Sequence, residues 1–469
     1  MRGRTLLILI AGLLAGCIVG PNYKRPTVAI PATFRAPDPL PPQQAASFAD
    51  LKWFEVFQDD RLQELIRVAL QQNYDLRDAV ARVDEARAFL GITRSNQFPQ
   101  VGASGSLELN RLTRQGLTPL GERALPSQYR NFGRVGINFL SFEIDIWGRL
   151  RRATEAARAN LLGAEETRKA VVTTLVSEVA TAYLSLRELD YTLEISKRTL
   201  QTREQSLELT KSRQAGGVST LLDLRQAEQL VYSAAETIPQ IQQQIEETEN
   251  RISLLLGLNP GGILRGRSLT EQAFPPDVPA GLTSTLLERR PDIHAAEQGL
   301  IAANAEIGVA RAAYFPQVSL SGVLGAASAQ LTSLFSAPAS LWSFEPLVTQ
   351  PIFTAGRIKS NVRLTEAERE RALIFYERTI QTAFTEVSDS LIAHQRVRES
   401  REKQEALVGA LTDRLRLAYL RYRGGVDTQL NALDADRDLF NAELGLAQIR
   451  LEELLSVVQL YKALGGGWQ

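Results

Sequence analysis

Hydrophobic residues in the last third of the chain recur in alternating steps of four and three. Ile380, Phe384, Val387 and Leu391 follow this spacing. A second series continues it further along the chain: Phe440, Leu444, Ala447, Leu451, Leu454 and Val458. This narrow spacing is typical of a coiled-coil seam, whereas an ordinary surface helix carries a broader apolar stripe. The pattern therefore predicts two long helices that pack along one seam.

A glycine pair, Gly424-Gly425, separates the two series. Glycine adopts the left-handed conformation that ends a helix and starts a tight turn. The stretch from Gly356 to Tyr461 therefore predicts a helical hairpin. Its first helix would hold about sixty residues and extend on the order of 90 Å.

The same pattern occurs earlier in the chain. Gly216-Gly217 precedes Gly424-Gly425 by 208 residues, and a Phe-Pro-Gln-Val motif occurs at 98–101 and again at 315–318. Two anchor motifs in the same order indicate an internal duplication of about 210 residues. We divide the chain into a first repeat at 53–258, a connector at 259–281 and a second repeat at 282–469.

Each repeat also predicts a helix and two strands before its hairpin. Apolar and polar residues alternate over 101–109, and the other strands are expected at 132–146, 318–325 and 341–352. The apolar parity switches near Phe139-Leu140, which predicts either a β-bulge or the level at which the strand changes environment. A helix is expected from Leu62 to Ser95, and Pro239 is expected to break or kink the returning helix of the first hairpin.

Four strands per chain are too few for a closed barrel. Strands of this length cross a bilayer when tilted, and an open sheet edge is not tolerated in lipid. Three copies would supply twelve strands and six hairpins, whereas eight strands from two copies would be filled by side chains. The predicted fold is mostly α with a membrane β-barrel: a trimeric, twelve-stranded barrel that continues into a helical tunnel.

The N-terminus carries a short targeting segment. Arg2 and Arg4 precede an apolar stretch from Leu6 to Ala15, which ends in Leu-Ala-Gly before Cys17. This ending resembles the lipobox of bacterial lipoproteins, which implies a signal peptide at 1–16 and a diacylglycerol and an N-acyl chain on Cys17. Ile18 in the next position implies sorting to the outer membrane. Residues 17–52 are rich in proline and predict an extended tether, with packing from Trp53 onwards.

Composition excludes several functions. Lysine plus arginine equals aspartate plus glutamate, 53 each, which gives no electrostatic footprint for nucleic acid. One cysteine and two histidines, His294 and His394, argue against a metal cofactor or a disulfide framework. No catalytic constellation is present, so we do not expect an enzyme or a cofactor other than the lipid on Cys17.

Three motifs together identify a family. Residues 287–293 read Leu-Glu-Arg-Arg-Pro-Asp-Ile, residues 422–427 read Tyr-Arg-Gly-Gly-Val-Asp, and residues 461–468 end in Leu-Gly-Gly-Gly-Trp. They resemble the TolC-like outer-membrane efflux factors, in the lipoprotein (NodT-type, OprM-like) branch. The resemblance implies a homotrimeric channel in the outer membrane of a Gram-negative bacterium. It also implies a periplasmic adaptor (membrane fusion) protein and an inner-membrane pump of the RND type as partners.

The resemblance further implies a gate at the hairpin tips. Residues that match Leu430 and Asp434 form the narrow ring that closes the periplasmic end in the family. Tyr422 and Asp427 match positions that hold the closed tip by hydrogen bonds between subunits, and Leu222 and Asp223 occupy the first-repeat counterparts of 430 and 431. Asp434 is also spaced for an ion pair with Arg437, and we expect Asp436 and Asp438 to be solvated.

Several functions remain open within this scaffold. Export of drugs and other small solutes is the main interpretation, because it accords with the lipobox. Metal export and type I protein secretion are the alternatives among channels. A coiled-coil lipoprotein without a pore is a further alternative, but a spacer would not need amphipathic strands.

Overall fold

A computed structural model describes residues 18–36, 47–111, 129–272, 281 and 283–468. The helices are α1 (Trp53–Val56), α2 (Asp60–Gln72), α3 (Tyr74–Ser95), α4 (Arg149–Ala215), α5 (Leu221–Leu255), α6 (Thr283–Arg289), α7 (Pro291–Ala312), α8 (Arg357–Arg423) and α9 (Gln429–Ala463). The strands are β1 (Val101–Arg111), β2 (Tyr129–Ile144), β3 (Gln317–Ser328) and β4 (Ser340–Thr349). The predicted, mostly helical fold is confirmed. None of the helices in these ranges has the length and apolarity that a membrane crossing requires.

The chain forms two compact units. The sheet unit contains residues 83–163 and 296–376 together with the described residues before Thr27. The hairpin unit contains the remaining described residues, which fall within 27–82, 164–295 and 377–469.

The sheet unit holds one antiparallel sheet in the order β1-β2-β3-β4. Ala103, Ile137, Leu324 and Trp342 pair across the four strands in one row, and the last three are exposed. The opposite face is polar, with the Asn138 amide donating to the Ser104 hydroxyl at 2.6 Å. The predicted bulge is confirmed, because the β2–β3 register shifts between Phe139 and Phe142.

The chain that follows Cys17 is fixed within the sheet unit. The buried Arg152 guanidinium donates to the Val19 carbonyl, the Gly20 carbonyl and the Asn22 side chain. The amide of Asn304 donates to the Pro21 carbonyl at 2.9 Å. Cys17 itself lies outside the described residues.

The helices of the two hairpins have identical lengths. α4 and α8 each hold 67 residues, and α5 and α9 each hold 35. Both helices of the second hairpin begin and end 208 residues after those of the first, so position n in the first hairpin corresponds to n + 208 in the second. A helix of 67 residues extends about 100 Å.

Two predictions about local structure were wrong. The helix expected from Leu62 to Ser95 is two helices, because the Asn73 side chain caps α3 at the Leu76 N–H and donates to the Leu255 carbonyl.

Of the two effects expected at Pro239, the break is absent, because α5 continues through it; a kink stays a prediction. The proline is exposed, while buried Ala234 and Ile241 keep the seam on either side.

Packing also begins before Trp53, against the sequence-based expectation. Phe34 and Phe48 are buried. The Phe48 ring makes an edge contact with the Tyr461 ring at 5.5 Å between centroids. The burial of these two side chains removes their apolar surface from water.

Candidate functional site

The two hairpins turn with the same backbone geometry. Gly217 and Gly425 have φ of 72° and 73°, the left-handed region in which a Cβ would be strained. The N–H of Val218 donates to the Arg213 carbonyl at 2.8 Å, and the N–H of Val426 donates to the Arg421 carbonyl at 3.1 Å. The turns therefore present the following residues at equivalent places on both tips.

At the first tip, Asp223 caps its own helix. The Thr220 hydroxyl accepts a hydrogen bond from the Asp223 N–H, and the Asp223 carboxylate accepts from the Thr220 N–H at 2.8 Å. The Ser219 hydroxyl donates to the same carboxylate at 3.0 Å. The hydrogen bonds from Thr220, together with that from Ser219, hold the pKa of Asp223 below its usual range. This capping box satisfies N–H groups that a helix start otherwise leaves unpaired.

At the second tip, the hydrogen bonds converge on Asp427, which lies one residue before Thr428, the N-cap of α9. Its carboxylate accepts from the Arg421 guanidinium at 3.0 Å, the Asn431 amide at 2.6 Å and the Thr428 N–H at 2.8 Å. Arg421, Asn431 and Thr428 together lower the pKa of Asp427. The Tyr422 hydroxyl donates to Gln429 at 3.3 Å. Both predicted tip residues thus bind within their own chain, and their bonding between subunits stays a prediction.

The residues predicted to form the constriction lie one helical turn apart on the second tip, where Leu430 is exposed and Asp434 is partly exposed. Leu430 is exposed, as is Leu222 at the equivalent place on the first tip. Asp434 follows Leu430 by one helical turn, and its carboxylate lies 3.3 Å from the Arg437 guanidinium. The predicted Asp434–Arg437 pair is therefore confirmed. The first-repeat counterpart of Asp434 is Gln226, so only the second repeat offers a carboxylate here.

The expectation that Asp436 is solvated was wrong. Its side chain is buried and accepts from the buried Arg203 guanidinium of α4 at 2.6 Å. Arg203 also donates to the Leu230 carbonyl and stacks over the Phe440 ring at 5.0 Å. Asp438 is only partly exposed and pairs with Arg414 at 2.6 Å. Asp436 therefore joins the two hairpins, since Arg203 belongs to the first and Asp436 to the second.

Further polar contacts between the hairpins surround this ion pair. We call the whole set the inter-hairpin joint. The buried Gln429 amide donates to the Thr210 hydroxyl at 2.8 Å. The other contacts pair Arg198 with Glu443, Tyr419 with Ser206, and the Arg213 guanidinium with the Tyr422 ring.

Sequence reasoning missed this joint, although one signal was available. Asp436 lies one helical turn from both Ala432 and Phe440, which are buried. A charged residue in a buried apolar row requires a partner. The partner is 233 residues away in the sequence, and a periodicity cannot identify it.

The Arg-Arg-Pro-Asp-Ile motif has a structural role in the hairpin unit. The buried Arg290 guanidinium donates to the Asp292 carboxylate, the Glu386 carboxylate and the Ala463 carbonyl at the end of α9. Burial alone would lower the pKa of Arg290, but Asp292 and Glu386 raise it. Arg290 therefore fixes the C-terminal end of the second hairpin. His294 bonds to the Glu288 carbonyl, and His394 bonds to the Ser456 hydroxyl.

Comparisons with known proteins agree with this architecture. The family profile described as "Outer membrane efflux protein" matches residues 65–258 and 282–466. The chain is 38% identical to the toluene efflux pump outer membrane protein TtgC of Pseudomonas putida, over 98% of this chain and 95% of that protein. It is 36% identical to outer membrane protein OprJ of Pseudomonas aeruginosa, with the same coverage.

Two solved structures are similar over nearly the whole chain. The outer-membrane channel OprN gives a TM-score of 0.87 at 31% identity, covering 96% of this chain and 100% of that one. The open state of the MtrE outer membrane channel of Neisseria gonorrhoeae gives 0.85 at 32% identity, covering 97% and 99%. Because the family profile matches both repeats and the relatives match nearly end to end, this chain belongs to the outer membrane efflux protein family.

Proposed function

We propose that this protein is the outer-membrane duct of a tripartite efflux pump. Three copies would close a twelve-stranded barrel with four strands from each chain, and their six hairpins would line a periplasmic tunnel. A periplasmic adaptor and an inner-membrane pump of the RND type would feed the tunnel. The observation that carries this proposal is the duplication of a long hairpin in identical lengths, together with an amphipathic sheet, in a chain 38% identical to an efflux pump outer membrane protein.

The sheet supports the membrane part of the proposal. β1 and β4 stand at the two ends of the strand order, and open sheet edges are not tolerated in lipid. The exposed row of Ile137, Leu324 and Trp342 offers the apolar face that a barrel turns to the bilayer. The polar face with Asn138 and Ser104 would line the water-filled interior.

The substrates we propose are small organic compounds such as solvents and antibiotics. Relatives are named toluene, solvent and antibiotic efflux pump outer membrane proteins. Export of these compounds would need a hydrated tunnel that closes at rest, and Leu430 and Asp434 of three copies would supply the closure.

Deletion and complementation test the function. A strain that lacks the gene should accumulate toluene and become more sensitive to it, and the full-length chain should restore export. A variant that places two carboxylates on the proposed lipid-facing row, Leu324→Asp with Ile137→Asp, should not restore it. Unchanged toluene accumulation in the deletion strain, with the other efflux ducts removed, would contradict the proposal.

Assembly is tested on the purified protein. In mild detergent the particle should have the mass of three chains, by light scattering or native mass spectrometry. A stable single chain with full strand content would overturn the trimeric barrel.

The lipid anchor is tested at the mature N-terminus. We propose that Cys17 carries a diacylglycerol and an N-acyl chain, because the Leu-Ala-Gly sequence before it resembles a lipobox. Multiple acyl chains would give stable membrane binding. Mass spectrometry of the purified protein should show these groups, and Cys17→Ser should remove them. An unmodified Cys17 in the wild-type protein would refute the anchor.

A further inference from the structure

The chain passes twice from the end of a strand into a long helix. We call residues 142–151, where β2 leads into α4, the first junction, and residues 350–359, where β4 leads into α8, the second junction. The two are counterparts at the 208-residue offset of the repeat, and Gly148 and Gly356 have φ of 80° and 84°. The two long helices therefore start from the same backbone turn.

The first junction neutralises its cations within the chain. The Arg149 guanidinium donates to the Glu143 carboxylate at 2.9 Å, and Arg151 pairs with Asp145 at 3.2 Å. The Asp145 carboxylate also accepts from the N–H groups of Leu150 and Arg151. Each of these two arginines thus has a carboxylate of its own.

The second junction has cations without these carboxylates. The counterparts of the two acidic residues are Pro351 and Phe353, and no acidic residue occurs over 346–365. Arg357 and Lys359 are exposed, and neither forms an ion pair with any residue that the structure describes. Two positive charges at the second junction are therefore available to an anion from outside the described chain.

Large apolar side chains lie beside these cations. Ile352 is 97% exposed and Phe353 is 88% exposed. Adjacent apolar side chains left almost wholly in water mark a surface that a protein or a membrane covers. Cations beside aromatic and aliphatic groups match the interface of a bilayer, where phosphate groups lie next to acyl chains.

The position of the second junction along the chain agrees with this assignment. β4 has ten residues, which is enough for a tilted strand to cross the hydrocarbon core. Trp342 and Phe344 are exposed on the same face of β4, the face that we propose turns to lipid. The chain would therefore reach the level of the lipid headgroups just after Thr349, where Ile352 and Phe353 follow.

The N-terminal chain places a lipid at the first junction. Ile18, the residue after Cys17, lies against Gly148, since a Cβ added to that glycine would meet the Ile18 side chain at 3.1 Å. The N–H of Val19 donates to the Trp147 carbonyl at 3.0 Å. Acyl chains on Cys17 would thus enter the bilayer beside the first junction, which marks the same headgroup level from the other repeat.

We infer that the second junction binds an anionic phospholipid of the bilayer that the barrel spans. Arg357 and Lys359 bind the phosphate, and Ile352 and Phe353 contact the start of the acyl chains. Arginine suits this role because its planar fork matches phosphate, and both long side chains can reach a headgroup while their stems stay on apolar surface. The inference rests on the proposed function and adds a lipid site to it.

Lipid retention by the full-length protein tests the site. Purified protein in mild detergent is mixed with equal amounts of phosphatidylglycerol and phosphatidylcholine that carry the same acyl chains, and native mass spectrometry counts the lipids retained. The wild type should retain the anionic lipid several-fold over the zwitterionic one. Arg357→Gln with Lys359→Gln should abolish this preference, because it removes both cations.

Matched variants separate the site from net charge and from apolar contact. Arg369→Gln with Arg371→Gln removes the same charge about 18 Å further along α8, and it should keep the preference. Phe353→Ser should lower the retention of both lipids and leave their ratio as it is. Equal preference for phosphatidylglycerol in the two double variants would overturn the site, as would a wild type without any preference.

A competition distinguishes a bilayer lipid from a free phosphate compound. Short-chain phosphatidylglycerol should displace the retained lipid, whereas glycerol phosphate at the same concentration should not, because it lacks the acyl chains. Equal displacement by both would overturn the assignment to lipid. A protein that retains phosphatidylglycerol as expected but does not restore toluene export would contradict the proposed function and not the site.

Discussion

The two hairpin tips have the same backbone and different side-chain chemistry. Helix lengths, turn hydrogen bonds and the φ of Gly217 and Gly425 agree between them. The first tip is capped by Asp223 within its own helix, whereas the second is organised by Asp427 and linked to the other hairpin through Gln429. The glycine turn and the apolar seam therefore determine the backbone, and the residues between them were free to diverge after duplication.

The largest expected effect comes from breaking the Arg203–Asp436 ion pair, which joins α4 of the first hairpin to α9 of the second. Arg203→Met leaves the buried Asp436 carboxylate without its cation, and removing one partner of a buried pair destabilises by about 3–5 kcal/mol. The first-repeat counterpart of Asp436 is Glu228, which pairs with the exposed Arg225. Arg225→Met should therefore cost about 1 kcal/mol or less. Urea unfolding followed by helical circular dichroism measures both.

A second variant separates charge from packing in this pair. Arg203→Met with Asp436→Leu removes both charges, and replacing a buried pair by apolar residues is often close to neutral. The double variant should recover most of the loss. If Arg203→Met and Arg225→Met destabilise equally, the two tips do not differ in the way that the burial of Asp436 indicates.

Channel recordings should show the next effect, at the exposed face of the second tip. Leu430→Ala removes apolar bulk from the proposed constriction, so conductance in planar bilayers should rise several-fold. Leu222→Ala, the matched change on the first tip, should raise it less. Unchanged conductance in Leu430→Ala trimers would place the constriction elsewhere.

Asp434 acts through charge and should therefore change selectivity. Three carboxylates near a narrow passage attract cations, so Asp434→Ala should reduce the preference for cations over anions. Gln226→Ala, at the uncharged first-repeat counterpart, should leave selectivity as it is. Reversal potentials in a salt gradient distinguish the two variants, and equal selectivity in both would contradict the proposed carboxylate ring.

Sequence patterns predicted the backbone of this protein far better than its polar contacts. The seam residues and the Gly216 and Gly424 turns located both hairpins, because packing along a seam is encoded within a few residues. The break at Asn73 was missed, since it depends on the Leu255 carbonyl, 182 residues away. Asp436 was assigned to solvent for the same reason, because its partner Arg203 lies on another helix. Whether Leu430 and Asp434 of three copies come together depends on contacts between copies. Neither the sequence pattern nor the structure of one chain shows those contacts.

A smaller stability effect is expected where the second tip hydrogen-bonds to the first hairpin. Thr210→Ala reproduces the residue found at its counterpart, Ala418, and leaves the buried Gln429 amide without its acceptor. An unpaired buried polar group costs about 1–3 kcal/mol. Thr202→Ala, on an exposed part of α4, should cost less than about 0.5 kcal/mol. Equal losses in the two variants, measured by urea unfolding, would mean that the Gln429–Thr210 bond adds no stability.

The smallest effect should be a local response of both tips to acid. The pKa values of Asp223 and Asp427 are lowered in the folded protein relative to the ordinary value of 3.8. The stability that their carboxylates add is therefore fully present above pH 3.8 and is lost as the pH falls through the lower folded values. Asp427 is partly exposed, so solvent screening keeps this contribution local to the tip.

Hydrogen exchange at the amides of Thr220 and Thr428 measures this response, because each amide donates to one of the two carboxylates. After correction for the intrinsic exchange rate, protection should fall as the pH drops below about 3.8, while the seam amides keep theirs. Asp223→Asn should remove the pH dependence at Thr220 alone, and Asp427→Asn at Thr428 alone, since each tip has its own cap. The first tip should respond more sharply, because its carboxylate accepts from Thr220 and Ser219, whereas the Arg421 guanidinium continues to hold Asp427. A pH response shared by both amides in either single variant would show that the tips open as one unit and do not titrate separately.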